Sequence, residues 1–265
     1  MLQPAAGRWL LLLTAALTPN AVSCGRTSAP SPPSAPSPTP AERVVYANDF
    51  NGPLGTTYPE WSVGRYSWTG NAAGTIAAGS GTEAIRTIES ASGTQRFLGE
   101  LGGPIILQAP PYDARHFVRV DESIDLSLTG LPGHGSLTLA LDLYILKSWD
   151  GNNPIYGPDR WSVAIDGERL LATTFSNNFK TGIDVSLQDY PSADSLPQTG
   201  AVAVNSLGYG FWFGDATYRL SWTLPHSASA ATVTFSSSLN EGKSEQARST
   251  RDESWGLDNV RVTIR

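Results

Sequence analysis

The chain has 265 residues, a length that allows one or two domains. Eighteen Lys and Arg stand against 24 Asp and Glu, a net charge of −6 that offers no footprint for a polyanion and excludes nucleic acid as an expected partner. Charged residues make up only 16% of the chain, with 26 Gly and 19 Pro, a composition of strands and turns rather than helices.

The first 23 residues read as a targeting segment. Arg8 gives a thin positive region, and "WLLLLTAALT" is an apolar stretch too short to span a bilayer. The segment ends in "AVSC", and Cys24 is the single cysteine. It resembles a bacterial lipoprotein signal, in which that cysteine becomes the lipidated N-terminus. Ala21 and Ser23 equally suit an ordinary secretory cut before Cys24. Two localisations follow: a cell-envelope protein held by a lipid anchor, or a freely secreted one. Residues 24–42 form a Pro-, Ser- and Ala-rich tether. Its prolines favour extended polyproline conformation, and the 18 residues 25–42 at about 3.1 Å each reach roughly 50 Å.

From residue 43 to 265 the pattern predicts a single all-β domain. "VVYAN" opens it. In "SLTLALDLYIL", Leu137, Leu139, Leu141, Leu143 and Ile145 hold one face. A long connection, "KSWDGNNPIYGPDRW", follows. "WSVAIDG" then repeats the alternation, with Asp166-Gly167 as a hairpin turn into "RLLATTF". A second long loop covers residues 176–200, and "GYGFWFG" supplies an aromatic strand or turn. "TYRLSWTL", "ATVTFSSSL" and "NVRVTI" complete the late strands. His134 and His226 follow Leu-Pro pairs in two segments that echo each other. Both are expected in turns at equivalent corners, as exposed polar residues. No stretch keeps a 3.6-residue apolar period over three turns.

Catalytic patterns are sparse. There is no G-x-S-x-G elbow, phosphate-cradling loop or dinucleotide fingerprint. The three histidines lack zinc-ligand spacing, and Cys24 precedes the fold. The E-x-D-x-x-E strand of laminarinase-type glucanases is absent, and "DESID" has the wrong spacing. A glycoside hydrolase or lyase would need a pair of distant acids.

The last strand contains an irregularity. Val260, Val262 and Ile264 alternate on even positions, Trp255 and Leu257 on odd ones, and the phase slips at Asp258-Asn259. Parity with the final strand puts the Asp258 carboxylate on the core side, where it needs a partner. The two ends of the domain, "VVYANDFNG" and "ESWGLDNVRV", resemble the jelly-roll family that includes MAM and reelin-type modules and many bacterial carbohydrate-binding domains. The resemblance rests on Asp49-Phe50 and on Leu257-Asp258-Asn259-Val260 after Trp255. It implies a two-sheet antiparallel β-sandwich, a jelly roll of the concanavalin or galactose-binding kind. It also implies a structural calcium held by Asp49 and Asp258, with Glu253 as a weaker third ligand. The alternative partner for Asp258 is a set of backbone N–H groups or an arginine such as Arg43.

Sugar sites in sandwiches use aromatic faces beside Asn and Asp, and Trp149, Asp150, Asn152 and Tyr156 carry that chemistry in the first long loop. Trp149 also continues the core-facing phase of Leu143 and Ile145. The reading is an exported, tethered, monomeric binding module for a glycan or another surface ligand. The alternatives are a sandwich hydrolase or lyase, and an adhesive surface protein without a small-molecule site.

Overall fold

Alternation at period two calls for strands with one buried face, and the computed structural model consists of them. It describes residues 41–70, 85–102, 118–179, 186–210, 214–241 and 253–265. These lie in one unit, Pro40–Arg265. Cys24, the targeting segment and the tether up to residue 40 lie outside them, as do residues 211–213 of the aromatic "GYGFWFG" stretch. Among the described residues there is no α-helix and there are twelve strands. The first six are β1 (Arg43–Asn48), β2 (Trp61–Gly70), β3 (Thr87–Glu89), β4 (Arg96–Leu101), β5 (Val118–Thr129) and β6 (Ser136–Lys147). The last six are β7 (Arg160–Ile165), β8 (Glu168–Thr174), β9 (Ala203–Val204), β10 (Asp215–Pro225), β11 (Ala230–Glu241) and β12 (Glu253–Ile264).

They form two antiparallel sheets packed as a jelly-roll sandwich. The larger runs β3-β4-β12-β6-β10-β9, with β1 also paired to β12; the smaller runs β2-β5-β11-β7-β8. The five alternating residues of β6 face the core with Tyr218 and Leu220 of β10. From the other sheet Ile124, Leu126, Trp161, Val163, Val233 and Phe235 meet them. Trp161 packs edge-on against Trp255 with ring centroids 6.1 Å apart, so both aromatics are core anchors. Asp166 and Gly167 both take positive φ, 50° and 83°, the two-residue geometry that matches strand twist in the β7-β8 hairpin.

The phase slip in the last strand is a β-bulge. The β12-β6 register shifts between Asp258 and Arg261, and Asn259 sits at φ 50°. One extra residue turns the alternation over, so Trp255 and Leu257 before it and Val260, Val262 and Ile264 after it all reach the same core. The bulge is also where β12 changes neighbours. Its first half pairs with β4 and its second half with β1, so Asn48 lies opposite Val260. The first and last strands are therefore adjacent.

Candidate functional site

The bulge corrects the expected orientation of Asp258. Parity counted back from Val260 fails across an inserted residue, and Asp258 projects from the outer face of the larger sheet. There it lies opposite Asp142 in the β12-β6 ladder. It is nevertheless only 1% exposed. A second small cluster covers it: Phe97, Tyr144, Leu146, Leu207 and Tyr209. Tyr144 Oη–H and the Gln95 amide each donate to Asp258 Oδ2 at 2.8 Å, and the Asn259 backbone N–H donates to Oδ1 at 2.7 Å. Burial outweighs these bonds and, with a smaller contribution from Asp142, pushes the Asp258 carboxyl up to about 6. The nearby arginine serves the neighbour: Arg219 bonds Asp142 at 2.9 and 3.3 Å.

Asp49 is exposed, and its carboxylate accepts from the Asn51 N–H at 3.3 Å. It lies beside Asn259 and Arg261 in a surface depression of about 540 Å³. The polar side chains there are spent internally, Asn48 on the Phe50 N–H and Asn259 on Asp142. The three expected calcium ligands thus occupy three environments. Asp49 lies on the surface, Asp258 is held beneath the small cluster, and Glu253 lies at the start of β12.

Glu253 meets two acids not paired with it in the sequence reading. Carboxylate oxygens of Asp150, Asp159 and Glu253 all lie within 4.8 Å of one another, and these residues are 7%, 0% and 1% exposed. The first long loop builds this cluster by folding back on itself. Asp159 Oδ2 accepts from the Asp150 N–H at 2.6 Å, and its Oδ1 accepts from the Asn240 N–H at 3.0 Å. Asp150 Oδ1 accepts from Asn178 Nδ2 and from Ser186 Oγ. Burial and the neighbouring Asp150 raise the Asp159 carboxyl well above the usual carboxylate range. Like charges this close ionise together only beside a cation, so the group can hold a metal ion among hard oxygen donors.

The same folding buries Trp149 of the expected glycan platform and commits Asp150 and Asn152 to internal bonds. Trp149 is fully buried, its indole N–H donating to the Ser254 carbonyl at 2.8 Å, and cannot stack on a ligand. The Asn152 amide is used at both ends, donating to Asp189 Oδ1 at 2.6 Å and accepting from Thr174 Oγ1 at 2.8 Å. Tyr156 is half-buried, and its carbonyl accepts from Asn240 Nδ2 at 3.0 Å. The loop is a plug at the end of the sandwich. Its buried acid pair cannot flank a glycosidic bond.

The two histidines are not exposed turn residues. Their rings stack 4.9 Å apart, and His134 Nε2 lies 2.7 Å from His226 Nδ1. His226 Nε2 in turn reaches Asp166 Oδ2 at 2.9 Å. The Leu-Pro echo marks corners that come together and tie to the β7-β8 turn.

Sequence reasoning missed a groove on the outer face of the smaller sheet. Ile124, Phe235 and Val163 point into the core, so their neighbours Ser123, Ser236 and Ser162 point out. Register carries Arg65, Ser123, Ser236, Ser162 and Ala172 in one row across β2, β5, β11, β7 and β8. The adjacent row brings Asp121, Ser238 and Arg160 together, and Arg169 lies opposite Ala164 on the other side. These small residues floor a groove of about 420 Å³. A Cβ at Gly64 would come within 2.6 Å of Ser123 Oγ and 2.7 Å of Asp125 Oδ2, so glycine at this β2 bulge leaves room for both. The available signal was "ATVTFSSSL", a strand whose outer face carries hydroxyls where a solvated face would carry Lys or Glu.

No protein-family model and no curated protein matches the chain. Among solved structures, it is similar to the carbohydrate-binding module TmCBM27, described for specific mannan recognition. The identity is 10% and the TM-score 0.38, over 85% of this chain and 99% of that one. It is also similar to dimeric latent PorU from Porphyromonas gingivalis, at 12% identity and a TM-score of 0.30 over 54% of this chain. The match spans only 10% of the PorU chain. A third is a CBM35 from Cellvibrio japonicus Abf62, 9% identical with a TM-score of 0.22, covering 76% and 94% of the two chains. Two of these three are carbohydrate-binding modules.

Proposed function

We propose that the protein is an exported, non-catalytic glycan-binding module whose site is the groove across the outer face of the smaller sheet. The observation that carries this is the floor of Ser123, Ser236 and Ser162, hydroxyls held in one row on rigid strands. Ser162 Oγ and Ser236 Oγ share a hydrogen bond of 2.8 Å, which leaves the pair one donor and spare lone pairs beside the Ser123 hydroxyl, the chemistry of a sugar's own OH groups. Sites on strands hold such groups in fixed geometry. The test is a glycan-array screen of the purified protein, with mannan among the probes, beside a variant carrying Ser162→Leu and Ser236→Leu. Binding by the parent and its loss in a folded variant are expected. A parent that binds no glycan would overturn the reading.

In this proposal the chain is lipidated at Cys24, and residues 25–42 hold the module off the envelope surface. The single cysteine after an apolar segment and the Pro-rich spacer support that placement. Cys24→Ser should release the protein from the membrane fraction, and unchanged fractionation would argue for plain secretion.

The proposed calcium sits at Asp150, Asp159 and Glu253 and has a structural role, fixing the loop plug to the start of β12. Its carboxylates supply three of the six to eight oxygens calcium takes. Calcium at a hundredfold excess over its Kd would stabilise the fold by about 2.7 kcal/mol. Calcium added to metal-stripped protein should therefore raise the melting midpoint, and Glu253→Gln should diminish the rise. An unchanged midpoint would mean that the cluster holds a proton instead.

A further inference from the structure

From the charges at the edge of the same groove we infer that its ligand is an anionic glycan, one bearing carboxylate or sulfate groups. The inference rests on the glycan reading of this face and specifies the ligand class. Three arginines, Arg65, Arg160 and Arg169, stand around the serine floor against two acids, Asp121 and the buried Glu122. Arg65 is partly committed, reaching Asp121 Oδ2 at 3.4 Å. Arg160 and Arg169 are exposed, and among the described residues neither guanidinium makes an ion pair or a side-chain hydrogen bond. They stand on opposite sides of the floor, Arg160 opposite Ser238 and Arg169 opposite Ala164.

The chain as a whole carries −6, so two uncommitted guanidinium groups facing one groove run against its general charge. Net charge is a sum over the surface, and a strand register can still place cations together locally. A guanidinium presents planar paired donors that fit carboxylate and sulfate oxygens in bidentate fashion. The floor of small residues leaves the ligand close to the sheet, within reach of side chains from both sides. A neutral glycan could use the hydroxyls but would leave both guanidinium groups without partners.

The test measures binding of the full protein to two anionic probes, polygalacturonate for carboxylates and chondroitin sulfate for sulfate esters. Mannan serves as the neutral glycan, and single-stranded DNA controls for charge alone. Hydrogen bonds to charged groups give an expected loss of about tenfold in Kd for Arg160→Gln or Arg169→Gln, and about a hundredfold for both. Arg160→Lys should fall between parent and Gln variant, because it keeps the charge without the fork. Both side chains lie outside internal networks, so melting midpoints should match the parent. Preference for one anionic glycan, lost in the double variant, supports the inference and identifies the acid group. Binding of mannan alone, unaffected by the arginine changes, overturns it but leaves the glycan function standing. Equal binding of DNA also overturns it, by reducing the site to charge. Binding of no glycan removes both readings.

Discussion

Asp258→Asn should flatten the pH dependence of stability in a defined window. In the folded protein the Asp258 carboxyl titrates at about 6, against an ordinary value of 3.8. The folded state therefore binds the proton more tightly than the unfolded chain between those two values. Stability falls as pH rises through the window, and the full penalty is present above about pH 6. At about 1.36 kcal/mol per pH unit, the displacement corresponds to roughly 2–3 kcal/mol. Asn removes the titration but puts an amide against donors, since the Tyr144 hydroxyl, the Gln95 amide and the Asn259 N–H all point at this side chain. That mismatch costs about 1–3 kcal/mol at every pH. The variant should accordingly be less stable than the parent near pH 4, and the gap should shrink by about 2–3 kcal/mol by pH 8. Urea unfolding followed by tryptophan fluorescence at the two pH values, with calcium held constant, measures this difference. The raised Asp159 carboxyl titrates in both proteins and cancels. Stability curves that run parallel within about 0.5 kcal/mol, the ordinary scatter of neutral substitutions, would refute the burial argument.

Two further outcomes test the packing. Gly256→Ala should destabilise by about 1–3 kcal/mol, because its Cβ would lie 2.3 Å from a ring carbon of Phe97, which is fully buried and set edge-on against Tyr144. An unchanged urea midpoint would show that the small outer cluster is loose. Trp149→Phe should cost about 2 kcal/mol through the lost indole bond to Ser254 and lost volume, while leaving glycan affinity unchanged. Lost binding without lost stability would return the ligand site to the first long loop.

The sequence determined β1, β6 to β8 and β10 to β12, because alternation is a local property: which face of β6, β7 or β10 is apolar follows from neighbours two residues apart, whereas β2 to β5 and β9 were not read from it. It also located the bulge, since a phase slip at Asp258-Asn259 shows without any partner strand. What the slip did to Asp258 depended on which side of the inserted residue carried the reference parity, and only the paired β6 and β4 decide that. The acidic cluster joins residues 150, 159 and 253, and the histidine contact spans 134 and 226, so no spacing rule reaches either. Trp149 had the composition of a sugar platform and the phase of a core residue, and burial decided for the core. The groove shows the same division most clearly. Each strand's hydroxyl face is written along the chain. The row from Arg65 to Ala172, and the uncommitted Arg160 and Arg169 beside it, exist only once hydrogen-bond register has aligned five strands from distant parts of the sequence.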